Sequence, residues 1–239
     1  MTARTRVPTA TDHGSPRLPW FTLALGSALL ALHLLGGDAF TALVLDRDGV
    51  AAGQAWRLLT GHLAHVDGHH LGLNLAALAL LGTWTEVAHR DGAPPLGLLV
   101  VSGALAVSLG VLWTRPDLAA YCGLSGVLNT VFAAAVAGQW RHTRSPLFAL
   151  MAGAGAIKIV VEWSGNLALF SGPATGWAPV PAAHGAGYLW GLVLAWVWPR
   201  LAGGRPWAWP AGRRMRQGKG AIRRRRGCGR GPGRPGIPC

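Results

Sequence analysis

Three short stretches carry the residue types and spacings that could do chemistry. Gly123-Leu124-Ser125-Gly126 sets a serine between glycines, whose lack of bulk lets a side chain on a neighbouring segment reach the hydroxyl. Ala183-His184-Gly185-Ala186-Gly187-Tyr188-Leu189-Trp190-Gly191 places a histidine on one helical face with Gly187 and Gly191. Two small residues one turn apart let another helix approach closely, and with it whatever that helix carries. In the third stretch, which contains His62, His65, Asp67, His69, His70 and Asn74, the last two are four residues apart and point the same way on a helix. A serine becomes a nucleophile when a base takes its proton, and His184 has the right chemistry. A tetrahedral oxyanion needs donors, which His70, Asn74 and the backbone N–H of Ser125 can supply. No third acidic group is visible in reach of His184, so the pair is expected to act as a dyad with packing fixing the imidazole.

Each piece also has a plainer reading. Gly-x-Ser-Gly strings arise readily in a chain with 35 glycines, and Gly123, Gly126, Gly187 and Gly191 could serve helix packing alone. A single histidine near a helix end is usually structural, and His70 with Asn74 could be a polar helix start. The four histidines between 62 and 70 would admit a metal, but no carboxylate or cysteine completes a convincing set. Neither metal nor cofactor is expected. Lys158 and Glu162 are again four apart, inside an apolar stretch. They read as a structural pair in which each offsets the other's charge. Glu86 reads as a tie between loops. Cys122, Cys228 and Cys239 form no metal or disulfide pattern.

The elements that must position these residues are membrane helices. The chain has 239 residues, 51% hydrophobic and only 13% charged, against about 25% charged in soluble domains. The cations are clustered: twelve of 22 lie beyond Pro199, which leaves the body nearly charge-free. A membrane helix needs roughly 20 mostly apolar residues. Six stretches qualify: about 18–36, 67–87, 94–113, 121–140, 145–163 and 181–198. Ser145-Pro146 can cap and open the fifth. The expected organisation is an N-terminal segment 1–17, a six-span domain 18–200 and a basic Gly/Arg/Pro-rich tail 201–239. The tail is too polar to build a core. Six spans put both termini on one side, and the Lys/Arg bias selects the cytoplasm. Without the tail, Arg4, Arg6, Arg17, Arg90, Arg141 and Arg144 lie inside, against Arg47, Arg57 and Arg115 outside. The tail is expected to meet anionic lipid headgroups. Nucleic acid is not an expected partner, because lipid is the nearest polyanion.

Taken in order along the chain, the motifs resemble the rhomboid family. The matching residues are Trp56-Arg57, His65 with His70 and Asn74, Glu86, Gly123 to Gly126, and Ala183 to Gly191. The resemblance implies an all-α, six-transmembrane-helix bundle with a water-filled cavity open to the outer face. It also implies serine endopeptidase activity on membrane-anchored proteins, with Ser125 and His184 catalytic and His70 and Asn74 stabilising the oxyanion. Gly-Leu-Ser-Gly-Val-Leu and Thr-Gly-His-Leu-x-His-x4-His look most like the rhombosortase branch. That branch implies a bacterial inner membrane and protein substrates ending in Gly-Gly, a helix and a basic cluster. Many rhomboids place a tyrosine against the catalytic histidine, four residues after the serine. Here that position is Asn129. Competing readings are a general rhomboid protease with other single-span substrates, a non-catalytic rhomboid-like protein that binds client helices, and a small histidine-based transporter. The Lys158/Glu162 pair is the only charge pair within the spans, and internal repeats are lacking. Both features argue against the transporter.

Overall fold

A computed structural model describes residues 18–88, 93–165 and 180–203. The N-terminal segment 1–17 and the tail beyond 203 lie outside the described residues. In chain order the elements are α1 (Trp20–Leu34), α2 (Gly37–Leu43), β1 (Leu45–Asp46), α3 (Arg47–Ala51), α4 (Arg57–Thr60) and α5 (Gly68–Ala88). They continue with α6 (Leu96–Thr114), β2 (Ala120–Tyr121), α7 (Ser125–Thr143), α8 (Pro146–Trp163) and α9 (Pro181–Leu201).

The long helices α1, α5, α6, α7, α8 and α9 fall on the six apolar stretches of the sequence. Two of them, α6 and α8, are long and apolar enough to cross a membrane by length and composition. The pair α1 and α2 passes the same test jointly, across a 119° bend. The interior helices are diluted by polar and small residues, because their neighbours are protein rather than lipid. α7 packs against α5, α6, α8 and α9 and is buried nearly all round, from Val127 and Leu128 to Ala137 and Gln139. Large apolar side chains instead face outward on the peripheral helices, among them Leu80, Leu109, Leu150, Ile157, Val160 and Leu189. A surface of this kind is suited to lipid, and the apolar helices mark a membrane protein.

Two small residues set the closest approach in the bundle. A Cβ added at Gly187 of α9 would lie 2.0 Å from the carbonyl oxygen of Gly126, and one at Gly191 would lie 2.3 Å from that of Thr130. Backbone thus rests on backbone, and the Thr130 hydroxyl donates to the Gly187 carbonyl at 3.0 Å across the contact.

The segment between α1 and α5, which shows no helical period in the sequence, is folded by hydrogen bonds from half-buried arginines. Arg57 donates to the carbonyls of Thr41 and Val44. Arg47 reaches those of Leu112, Arg115 and Leu118. β1 pairs antiparallel with β2, Leu45 opposite Tyr121. The fourth helix therefore begins later than the sequence suggests: Tyr121 is in a strand, and Gly123 sits at φ +107°, a left-handed conformation that a helix cannot carry forward. At the other end of the bundle, the Glu86 carboxylate accepts from the N–H groups of Phe21 and Thr22 and from the Thr22 hydroxyl. It caps the positive end of α1.

Candidate active site

α5, α7 and α9 all present their N-terminal ends to one face, and α8 ends there. Asp67 caps α5, its carboxylate accepting from the His70 N–H at 2.7 Å. Just beyond the cap, His70 lies against Gly123, where a Cβ would meet the ring at 2.5 Å. Only glycine leaves room for the imidazole. One turn on, Asn74 donates from its amide to the His70 carbonyl at 2.9 Å. Both residues are buried.

Ser125 opens α7 and His184 lies in the first turn of α9. The close packing of these helices brings His184 Nε2 to 2.9 Å from Ser125 Oγ. Gly126 makes room for it: a Cβ there would be 3.1 Å from the Ala183 carbonyl oxygen. The structure therefore gathers Ser125, His184, Gly123, Gly126 and Gly187 into one place, with His70 against the turn that leads into the serine. At Asn129 the amide donates to the Ser125 carbonyl of its own helix at 2.9 Å.

The absence of an acidic group near His184, expected from the sequence, does not hold. His184 Nδ1 is 2.7 Å from Glu162 Oε2, and Glu162 Oε1 is 2.6 Å from Lys158 Nζ. Spacing along α8 reveals the Lys158–Glu162 pair but not a partner on another helix. The available signal was position: Glu162 ends its span on the same face at which the histidine's span begins.

Sequence reasoning also leaves His62 unassigned. Its Nε2–H lies 2.9 Å from the Ala104 carbonyl oxygen and 3.0 Å from Ser108 Oγ, whose own proton goes to the Leu58 carbonyl. The Gly123 N–H donates to the Gly61 carbonyl at 3.1 Å. His62 thus ties the segment 57–67 to α6, and the Gly61–Gly123 bond ties that segment to the turn before Ser125. Burial pushes its pKa down to about 4. His65 is likewise lowered to about 4, by burial and then by the neighbouring His70. Neutral, buried and hydrogen-bonded, His62 is part of the scaffold. Among the described residues, no group of three or more His, Cys, Asp or Glu side chains is arranged to hold a metal.

A helical membrane protein with a serine and a histidine joined between two interlocked helices is the class these features define. Residues 52–200 match the Rhomboid domain family. The chain belongs to that family. It is also similar to the mouse protein named Rhomboid-related protein 3, with 32% identity over 105 residues. That match covers 39% of this chain and 26% of the mouse protein.

Proposed function

We propose that the chain is an intramembrane serine endopeptidase in which Ser125 is the nucleophile and His184 the general base. The observation that carries this reading is the 2.9 Å contact between His184 Nε2 and Ser125 Oγ. In the proposed reaction His184 takes the hydroxyl proton as Oγ attacks a peptide carbonyl, then gives it to the leaving amine. Water hydrolyses the acyl-enzyme. His70, Asn74 and the Ser125 N–H stabilise the oxyanion. As the first residue of α7, Ser125 has no carbonyl one turn earlier in its helix to claim its N–H. The positive ends of three helix dipoles at this face also favour a developing negative charge.

The full reading is a six-span bundle in a bacterial inner membrane, with both termini cytoplasmic and the site open to the outer face. The charge bias of the loops supports that orientation, and the Arg-rich tail would rest on anionic lipid. Deacylation water must come from the outer face, because the hydrocarbon core holds none. The substrate must also present extended backbone, since a helix hides its carbonyls in hydrogen bonds. Glycine weakens a helix without blocking the extended backbone that cleavage needs. The proposed substrates are therefore membrane-anchored proteins whose C-terminal anchor begins with Gly-Gly, followed by a helix and a basic cluster, as in the rhombosortase branch.

The test co-expresses wild type, Ser125→Ala or His184→Ala with a reporter bearing such an anchor. Controls are an Ala-Ala version and an unrelated single-span protein. The wild type should release the Gly-Gly reporter fastest, and both variants should accumulate in the membrane but release nothing. Cleavage by either variant at the wild-type rate would sink the catalytic pair. Equal release of both reporters, or cleavage of only the unrelated protein, would leave a general rhomboid protease. No cleavage of any would favour a client-binding protein.

A further inference from the structure

Beyond His184, the hydrogen-bonded chain of side chains continues through two groups on α8. His184 Nδ1 meets Glu162 Oε2 at 2.7 Å, and the other carboxylate oxygen meets Lys158 Nζ at 2.6 Å. Glu162 and His184 are both buried, with side chains only 5% and 7% exposed, while Lys158 retains 30%. A carboxylate at the C-terminal end of a helix faces the negative end of the dipole, and a buried charge needs strong partners. Glu162 has one on each oxygen. A carboxylate flanking Nδ1 can only accept, so it holds the ring proton on Nδ1 and leaves Nε2 bare toward Ser125.

We infer that Glu162, held by Lys158, is the positioning residue of the site. It fixes His184 in the tautomer and orientation that can activate Ser125, so the working unit is Ser125–His184–Glu162 with the Lys158 ammonium at its far end. This rests on the protease reading above and goes beyond a two-residue site. It also assigns a second task to the Lys158–Glu162 pair, which would otherwise only neutralise itself within α8.

The geometry yields a contrast that simple structural support would not. In Glu162→Gln the single amide oxygen faces the Lys158 ammonium, which only donates, so the NH2 group turns to His184. It then donates to Nδ1, moves the ring proton to Nε2 and aims it at Ser125. With Lys158→Met added, the amide is free to rotate, accept from Nδ1 and restore the productive form.

The experiment uses the full chain in detergent micelles and measures labelling of Ser125 by a fluorophosphonate, together with kcat and KM on a cleaved single-span reporter. Glu162→Gln should lower labelling and kcat by up to about 10⁴-fold with KM little changed, the order of loss seen when the acidic member of a serine triad is replaced. Glu162→Gln with Lys158→Met should be faster than Glu162→Gln alone. Equal labelling of Glu162→Gln and wild type overturns the inference and leaves the protease reading intact. A double variant no faster than the single one assigns the loss to structure and overturns it as well. Should Glu162→Gln fail to accumulate, 15N spectra of histidine-labelled wild type, at a pH where the ring is neutral, decide the matter. They should show the His184 proton on Nδ1, and a proton on Nε2 overturns the inference. If the wild type neither labels at Ser125 nor cleaves any reporter, the protease reading fails first and the positioning role goes with it.

Discussion

Asn74 spends one amide hydrogen on the His70 carbonyl 2.9 Å away, a bond within its own helix, and the proposed oxyanion role falls to the other. Losing one such donor typically costs about 10²–10³ in turnover. Asn74→Ala should therefore lower kcat by that order while KM stays nearly constant; a change confined to KM would make Asn74 a binding or structural residue. At Gly123 the demands are steric and conformational together: φ is +107° and the His70 ring fills the space a Cβ would need. Gly123→Ala should cost about 1–2 kcal/mol for the left-handed backbone alone and should displace His70, which a thermal melt and the Ser125 labelling rate would register together. Ser125, His184, His70 and Asn74 were legible in the sequence because each sits in a short motif whose spacing implies a face. The contact between Glu162 and His184 was not, because two side chains 22 positions apart meet only when α8 and α9 are packed.

At the scale of elements, α7 and α9 are locked at the glycines of α9. In Gly187→Val, a Cβ would fall 2.0 Å from the Gly126 carbonyl oxygen, so the helices must separate. The expected cost is about 1–3 kcal/mol of overpacking, with activity falling alongside because the same contact sets the Ser125–His184 distance; full activity at unchanged melting temperature would refute this. The segment 57–67 makes a different demand, on pH. Buried His62 stays neutral to about pH 4, whereas in the unfolded chain it takes a proton near pH 6.5. A depressed histidine pKa means stability present above pH 6.5 and lost as pH falls toward 4, by on the order of 3 kcal/mol for this shift. Melting temperatures at pH 7.5 and 4.5 should thus diverge less in His62→Gln than in wild type, and equal divergence would remove His62 as the cause. The long helices were readable from apolar length. α2 to α4 and the β1–β2 pair were not, because their order comes from arginines reaching distant carbonyls and leaves no period in the sequence. The late start of α7 has a local cause in the left-handed turn at Gly123.

The molecule as a whole is organised by which helix faces meet lipid and which meet protein. The site lies where the N-terminal ends of α5, α7 and α9 gather, and the more apolar α6 and α8 carry the clearest membrane signal. The proposed six crossings with an inner C-terminus predict that a fluorescent protein which matures only in the cytoplasm will fluoresce when fused after Cys239. A dark fusion, with a periplasmic phosphatase active at the same position, would reverse the orientation. The clasp at Glu86 bears on how such a chain is made. α1 emerges from the ribosome before α5, yet the carboxylate that satisfies its leading N–H groups belongs to a residue 64 positions after Thr22. Until the end of α5 has been synthesised, the first helix enters the bilayer without its cap. Its final seating therefore waits on its second neighbour, and the two settle as a hairpin. Glu86→Gln should accordingly slow the appearance of a protease-resistant α1–α5 fragment in arrested nascent chains, while leaving the chemistry of Ser125 in the finished protein untouched.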